Sequence, residues 1–261
     1  MGRERAVEFY GDYHTHTNYS DAKQGLIDIV EAARNRGLKE VAITDHGPLA
    51  AVIGVSNPNS YLKLKEEINL INEEYDDIKV LLGAEANIRN IEGDLDIPPY
   101  IIKELDILIA GLHPYTLPTS IKAGVKIFLQ NSLRHLGKGC YEKAVKNNTQ
   151  AVIAAMKNNP SLDILAHPGL FFKLDIAEVA QVAVKERVLF EINCGHEYPK
   201  ISDIMEADKY GINFIVNSDA HLSSTVGDFS YAKRIIKKLN LDEARIVNSS
   251  ARGGYKTWVK N

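Results

Sequence analysis

His14 and His16 stand two apart in the stretch Asp-Tyr-His-Thr-His-Thr-Asn-Tyr-Ser-Asp that runs from Asp12 to Asp21. On a strand, residues two apart share a face, so both imidazoles would point to one side. Asp21 follows at the start of the next element. Two same-face nitrogens with a carboxylate close by form half of a metal site. The same residue types recur down the chain. His46 ends Ile43-Thr44-Asp45-His46, Glu85 ends Gly83-Ala84-Glu85, and His113 lies in Gly111-Leu112-His113-Pro114. His167 opens His167-Pro168-Gly169, and Asp219 and His221 lie in Asn217-Ser218-Asp219-Ala220-His221. Six imidazoles and three carboxylates suit Zn, Mn or Fe, whereas Ca and Mg prefer all-oxygen shells. Nine side chains exceed one tetrahedral or octahedral centre, so two or three divalent ions with bridging carboxylates are implied. Such centres clamp the attacking and leaving oxygens of an in-line displacement at phosphorus and make hydroxide available at neutral pH. Three divalent ions set against Asp21, Glu85, Asp219 and one hydroxide leave about +2, which a phosphomonoester dianion would neutralise.

These residues need a frame that brings them together. Short β-type runs are expected at 7–16, 40–44, 80–86, 107–110, 163–166, 188–193 and 212–216. Helical patterns alternate with them. One at 24–35 carries Leu26, Ile29, Val30 and Ala33 on one face and stops at Gly37. Another, capped by Ser60, carries Leu64, Ile68 and Ile71. Pro98-Pro99 opens a short helix, and further helices are expected at 141–157, 202–210 and 230–239. One between the last two strands but one begins at Asp175 with Glu178 in a capping-box pattern. The stretch 115–139 reads as the least regular part, a long basic loop and the best lid candidate. Strict alternation argues for a parallel sheet covered on both faces. Alternation alone allows an open sheet or a closed barrel. Six of the seven strands end in one of the nine groups. In a parallel barrel the C-terminal strand ends share one rim, where active sites sit. An open sheet would spread them along a row. The expectation is therefore an α/β barrel, one domain over residues 1–261.

Composition bounds the rest. The chain has 261 residues, 45% hydrophobic and 25% charged, enough for one large domain. A net charge of −3 and a pI near 6.3 argue against a dedicated nucleic-acid surface. Cys140 and Cys194 suggest neither a disulfide framework nor a thiolate site. Residues 1–6 lack the apolar core of a signal peptide, and position 6 lacks the Ser or Thr of a myristoylation signal. No apolar run is long enough to span a bilayer. The expected location is the cytoplasm, the expected partner a small phosphorylated molecule, and a homo-oligomer stays open.

The sequence resembles the polymerase-and-histidinol-phosphatase (PHP) family. The matching segments are His14-Thr15-His16 with Ser20-Asp21, Ile43-Thr44-Asp45-His46, Gly83-Ala84-Glu85, His113, Ala166-His167-Pro168-Gly169 and Asn217-Ser218-Asp219-Ala220-His221. They keep the family order and span almost the whole chain. The resemblance implies a distorted (β/α)7 TIM-like barrel with a trinuclear site. By that similarity His14, His16, Glu85 and Asp219 would hold the first ion. Glu85 would bridge to a second, held also by His113 and His167, and Asp21, His46 and His221 would hold a third. Glu191-Ile192-Asn193 and Val226-Gly227-Asp228-Phe229 are most similar to stand-alone bacterial phosphatases of the family. Gly111 departs from the Ser found in many members, a change that touches no ligand.

The chemistry expected is metal-dependent phosphomonoester hydrolysis of a small metabolite, histidinol-phosphatase-like, with in-line attack of hydroxide. His14, His16, Glu85 and Asp219 form the catalytic set. His196 follows strand six on the rim side, where it could protonate the leaving group. Asn193, Arg89 and Arg134 are the substrate-binding candidates, and Lys122, Lys126 and Lys138 are weaker ones. Asp45 reads as a residue that orients a ligand, Cys194 as a small buried core residue, and His135 as a surface residue. Asp21 has a rival reading as a helix cap. Three other functions compete with this reading. A nuclease or nucleotide phosphodiesterase is disfavoured by the acidic pI and the lack of an attached binding domain. A non-catalytic metal-stabilised scaffold or regulatory domain would be expected to have lost ligands, and none is missing. An amidohydrolase barrel also starts with His-x-His but wants a bridging lysine at a strand end, where strand four here ends in His113.

Overall fold

The computed structural model describes residues 7–260, so the reading of residues 1–6 lies outside the described residues. Seven strands run in chain order around one sheet, each parallel to the next: β1 (Gly11–Thr15), β2 (Glu40–Ile43), β3 (Lys79–Asn87), β4 (Ile107–Gly111), β5 (Ile164–Leu165), β6 (Leu189–Asn193) and β7 (Phe214–Asn217). The helices between them are α1 (Leu26–Asn35), α2 (Ser60–Glu74), α3 (Pro99–Ile102), α4 (Ile121–Gly124), α5 (Gln130–Ser132), α6 (Lys138–Asn158), α7 (Ile176–Glu186), α8 (Ile201–Asp208) and α9 (Ser230–Leu239). The sheet is a nearly closed (β/α)7 barrel. Its seam lies between β1 and β7, where His16 N donates to Ala220 O at 3.0 Å and Tyr13 N donates to Asn217 Oδ1 at 3.0 Å. Below these contacts buried Asn248 bridges the strands, donating to Gly11 O at 3.0 Å and Val216 O at 2.7 Å. Among the described residues no helix is long and apolar enough to cross a membrane.

Period-two alternation sorts each strand between two cores. Val80, Leu82, Ala84 and Ala86 face the helices, as do Leu108 and Ala110. Leu81, Ile107, Ile109, Leu189 and Ile215 fill the lower barrel interior. Continuing those inward positions towards the C-terminal ends gives Glu85 and Asn87 on β3, His113 after β4, Glu191 and Asn193 on β6, and Asn217 and Asp219 at the end of β7. The barrel axis is thus apolar at the bottom and polar at the top.

On β1 the register slips between Asp12 and Thr15, which pair with Val41 and Ile43. This one-residue bulge lets Tyr13 join the lower interior while its neighbour His14 still reaches the site. Tyr13 is held from below, its hydroxyl donating to Glu40 Oε2 at 2.6 Å and its ring meeting the edge of Trp258 at 5.0 Å.

The buried faces expected for α1 and α2 are those observed, and Asp175 caps α7 by accepting from Glu178 N. The region 115–139 is a correction. It is mostly helical, running through α4, a π-helical turn at Val125–Leu129, α5 and a 3-10 turn at Leu133–Leu136, with α6 beginning after Gly137. The buried positions of its helical turns are Ala123, Ile127 and Asn131. A carboxamide at a core position breaks the apolar period, and Asn148 on α6 satisfies it with reciprocal bonds of 2.7 and 3.0 Å. The apolar Ile121, Val125 and Leu129 are exposed instead, which inverts the usual pattern.

Candidate metal centre

All nine candidate ligands converge at the C-terminal rim. Glu85 is the hub. Its Oε1 lies 3.0 Å from His167 Nε2 and 3.2 Å from His113 Nε2. Its Oε2 lies 2.7 Å from His46 Nδ1, 3.5 Å from His14 Nε2 and 3.8 Å from His16 Nε2. Asp219 Oδ1 is 3.2 Å from His16 Nε2 and 3.6 Å from His14 Nε2. Asp21 Oδ1 is 3.3 Å from His221 Nε2 and 3.7 Å from His46 Nε2. Three groups have ligand atoms within 4.8 Å of one another: His14, His16 and Glu85; Glu85, His113 and His167; and His16, Asp21, His46 and His221. The last differs from the expected third set by gaining His16. Asp21 does not cap α1, because Gly25 holds that position and its N–H donates to Asp28.

The donor set fits cations. His14 Nε2, both nitrogens of His16, His46 Nδ1 and Glu85 Oε2 are buried without a hydrogen-bond partner. His46 Nδ1 and Glu85 Oε2 lie close yet not in hydrogen-bond geometry, as two atoms aimed at a common third point would. Orphaned buried polar atoms are costly, and five in one cluster mark a place for ions.

Charge tells the same story. Burial alone would raise the Glu85 and Asp219 carboxyls, but the surrounding imidazoles, His14 foremost, hold both well below the usual carboxylate range. Burial would likewise depress His14, yet Asp219, Glu191 and Glu85 carry it well above its ordinary value. Burial and the neighbouring cationic His46 push His16 down to about 3. Burial, with His167 and His46 against an opposing Glu85, takes His113 down to about 4. Some of these imidazoles are protonated at the expense of others, which is how a ligand cluster neutralises its carboxylates with protons alone.

Behind the ligands lies a layer of which the sequence reveals Asp45 but not Glu191 or Asn87. Glu191 is fully buried, with Oε1 2.7 Å from His14 Nδ1 and accepting from Asn217 Nδ2, and Oε2 accepting from His167 N at 2.7 Å. It fixes the His14 ring so that Nε2 faces Glu85. Asn87 Oδ1 does the same for His113 Nδ1 at 2.8 Å. Asp45 binds Thr17 N, Thr17 Oγ1 and Ser20 Oγ, shaping the turn that presents Asp21. The signal for Glu191 and Asn87 was their inward parity, shared with Leu189 and Glu85.

None of the three substrate-binding candidates lines the cavity above the cluster. Asn193 is fully buried, and its amide is spent on Glu191 Oε2, Asp219 Oδ2 and His196 N. Arg89 Nε donates to Leu117 O, and Arg134 donates to Asn131 O on its own helix. Neither arginine lines the cavity above the cluster. His196 does line it, with Nε2 3.4 Å from Asp219 Oδ2 and a side chain 45% exposed. His135 is exposed, and Cys194 is buried in the core between helices and strands.

Gly111 is not neutral. A Cβ there would lie 2.6 Å from His113 Cε1 and 3.1 Å from His167 Cε1. Gly111→Ala should displace both imidazoles. We expect it to retain fewer metal equivalents after dialysis and to lose at least about tenfold in turnover, with unchanged far-UV circular dichroism. Full metal content and activity would show that the rings have room.

A parallel barrel with a histidine- and carboxylate-rich centre at its C-terminal rim defines a metal-site TIM-like protein. The family model of the PHP domain matches residues 12–245, and the chain belongs to that family. It is 33% identical over 253 residues to a protein of Caldanaerobacter subterraneus subsp. tengcongensis named "Probable phosphatase", covering 92% of this chain and 87% of that one. A protein of the same name from Clostridium acetobutylicum is 31% identical over 254 residues, covering 93% and 91%. Among solved structures, the histidinol phosphate phosphatase of Lactococcus lactis subsp. lactis, complexed with Zn, L-histidinol and phosphate, superposes with a TM-score of 0.62. That match is at 20% identity and covers 89% of this chain and 94% of that one. At that identity the likeness speaks for the fold.

Proposed function

We propose that this protein is a metal-dependent phosphomonoesterase acting on a small phosphorylated metabolite in the cytoplasm. The observation that carries the reading is the set of nine ligand side chains from six strand ends, five of whose atoms are buried without partners. The names borne by its relatives agree with it. His14, His16, Glu85 and Asp219 would hold one ion, Glu85, His113 and His167 a second, and Asp21, His46 and His221, with His16 near, a third. Two or three Zn, Mn or Fe ions would supply Lewis acidity and hydroxide at neutral pH. The chain's own residues do the rest. Glu191 and Asn87 lock the His14 and His113 rings, and Asn193 fixes Asp219 Oδ2. Nε2 of His196 stands at the edge of the cavity, placed to hold a proton for the departing oxygen. The cavity of about 530 Å³ suits a small substrate.

The test is turnover of p-nitrophenyl phosphate by Mn- or Zn-loaded protein, alongside bis-p-nitrophenyl phosphate and elemental analysis. No turnover with metals bound would sink the enzyme reading, and faster diester cleavage would favour a phosphodiesterase. His196→Gln sharpens the role of that residue. An alkyl phosphate needs its leaving oxygen protonated, whereas p-nitrophenolate departs as the anion. The variant should lose roughly 10²-fold or more on the alkyl ester and far less on the aryl ester. Equal losses would assign His196 to binding instead.

A further inference from the structure

We propose that the cavity selects phosphomonoesters whose leaving group is an uncharged apolar alcohol, aromatic or branched. The inference rests on the phosphatase reading and deepens it. Among the described residues no lysine or arginine lines the cavity above the ligand cluster. A phosphate dianion would therefore be met at the floor, by ions, and the walls above it hold no fixed positive charge to answer an anionic leaving group.

An ammonium fares no better. Asp21 is engaged with His221 and His46, and Asp219 with His16, His196 and Asn193. The nearby carboxylates Glu197 and Asp228 open into a separate cavity of about 180 Å³. There Glu197 pairs with Arg234 at 2.5 Å, and Asp228 accepts from Ser230. Of the three wall hydroxyls all but that of Tyr115 are also spent. Ser218 Oγ donates to Asp12, and Thr225 Oγ1 donates to Leu222 O. A charged group placed against such a wall would be desolvated without compensation.

What the wall offers is apolar surface. The Tyr115 ring stacks on His113 with centroids 5.1 Å apart and planes at 10°. Phe171 meets Tyr115 at 6.0 Å and 74° and stands 5.7 Å from the His167 ring. The two form a fixed aromatic corner directly above two ligands, and Ile53 and Leu222 complete the lining. A ring or branched chain leaving the phosphorus would be buried there, and specificity would come from area removed from water.

The experiment compares kcat/KM of the metal-loaded enzyme for benzyl phosphate, glycerol 1-phosphate, O-phosphoethanolamine and histidinol phosphate. All four are alkyl esters, so intrinsic reactivity does not sort them. p-Nitrophenyl phosphate serves as the control for catalysis. Benzyl phosphate should lead by roughly tenfold or more. Ile53→Asp should lower the benzyl-to-glycerol ratio by a similar factor. If p-nitrophenyl phosphate is cleaved while a charged or polyhydroxyl ester equals or exceeds benzyl phosphate, the leaving-group inference falls and the phosphatase reading stands. The inference falls likewise if Ile53→Asp leaves the ratio unchanged. If no ester is cleaved with metals bound, the phosphatase reading falls and takes the inference with it.

Discussion

Glu85→Gln is expected to abolish turnover and to strip the protein of most of its metal while leaving the barrel folded. Five imidazole nitrogens lie within 3.8 Å of this carboxylate. Its two oxygens divide the work: Oε1 faces His113 and His167, and Oε2 faces His14, His16 and His46. A carboxylate so placed serves two groups at once. The glutamine side chain has nearly the same shape, so packing around the fully buried position is retained. It lacks the negative charge, however, and one of its two terminal atoms becomes a donor aimed at cations. The group built from His16, Asp21, His46 and His221 does not depend on Glu85 for a ligand. Metal content should therefore fall to about one equivalent rather than to zero, and kcat/KM for p-nitrophenyl phosphate should fall by about 10³ or more. Elemental analysis, kinetics and circular dichroism on the same preparation check the three statements. Activity within tenfold of the parent with full metal content would remove Glu85 from the centre of the site.

The inward parity of Glu85 explains why so much of this site could be read before any fold was known. Ligands that end strands follow short apolar runs, and the runs of β3 and β4 alternate cleanly between two cores. His113 lies two residues past the end of β4, in line with Ile107 and Ile109. His14 is harder, because a bulge resets β1 and period-two counting alone would separate Tyr13 from it. Glu191 and Asn87 carry the same parity, yet they sit one layer deeper, where a polar residue without a metal-binding neighbour in sequence gives no hint of its partner. Their partners are 177 and 26 residues away, brought close by curling of the sheet into a barrel in the first case and by the β3–β4 pairing in the second. Arg89 and Arg134 suggest themselves as substrate contacts because phosphate is anionic. In the structure one donor of each bonds a backbone carbonyl, that of Leu117 for Arg89 and that of Asn131 for Arg134, acceptors that no sequence pattern reveals. The segment 115–139 hid its helices for a related reason. Its core position 131 is an asparagine whose partner, Asn148, belongs to the next helix.

Chelation should lower the melting temperature by at least about 10 °C and stop turnover, and the loss of stability should grow with pH. An ion that binds only the folded chain, present at a thousand times its Kd, contributes roughly 4 kcal/mol. For a chain of this size 1 kcal/mol moves Tm by about 2–4 °C. Protons offset part of the loss, because an imidazolium can replace an ion beside a carboxylate. Burial would depress His221, but its contact with Asp21 and the charge of Asp219 outweigh that and raise it from 6.5 to about 9. His14, His46 and His167 move in the same direction, each against its own burial and through the Glu85 carboxylate among others. A histidine raised in the folded state contributes stability that is fully present below the unfolded value and is lost as pH climbs through the folded one. The chelated protein should therefore lose stability between pH 6.5 and 9. The metal-loaded protein should not, because its imidazole ligands are already neutral and shed no proton there. The gap in Tm between the two forms should widen across that window, and scanning calorimetry at pH 6.5, 7.5 and 9 measures it. A gap that stays constant or narrows would mean that these imidazoles do not exchange protons for ions, and the cluster would lose its reading as a metal centre.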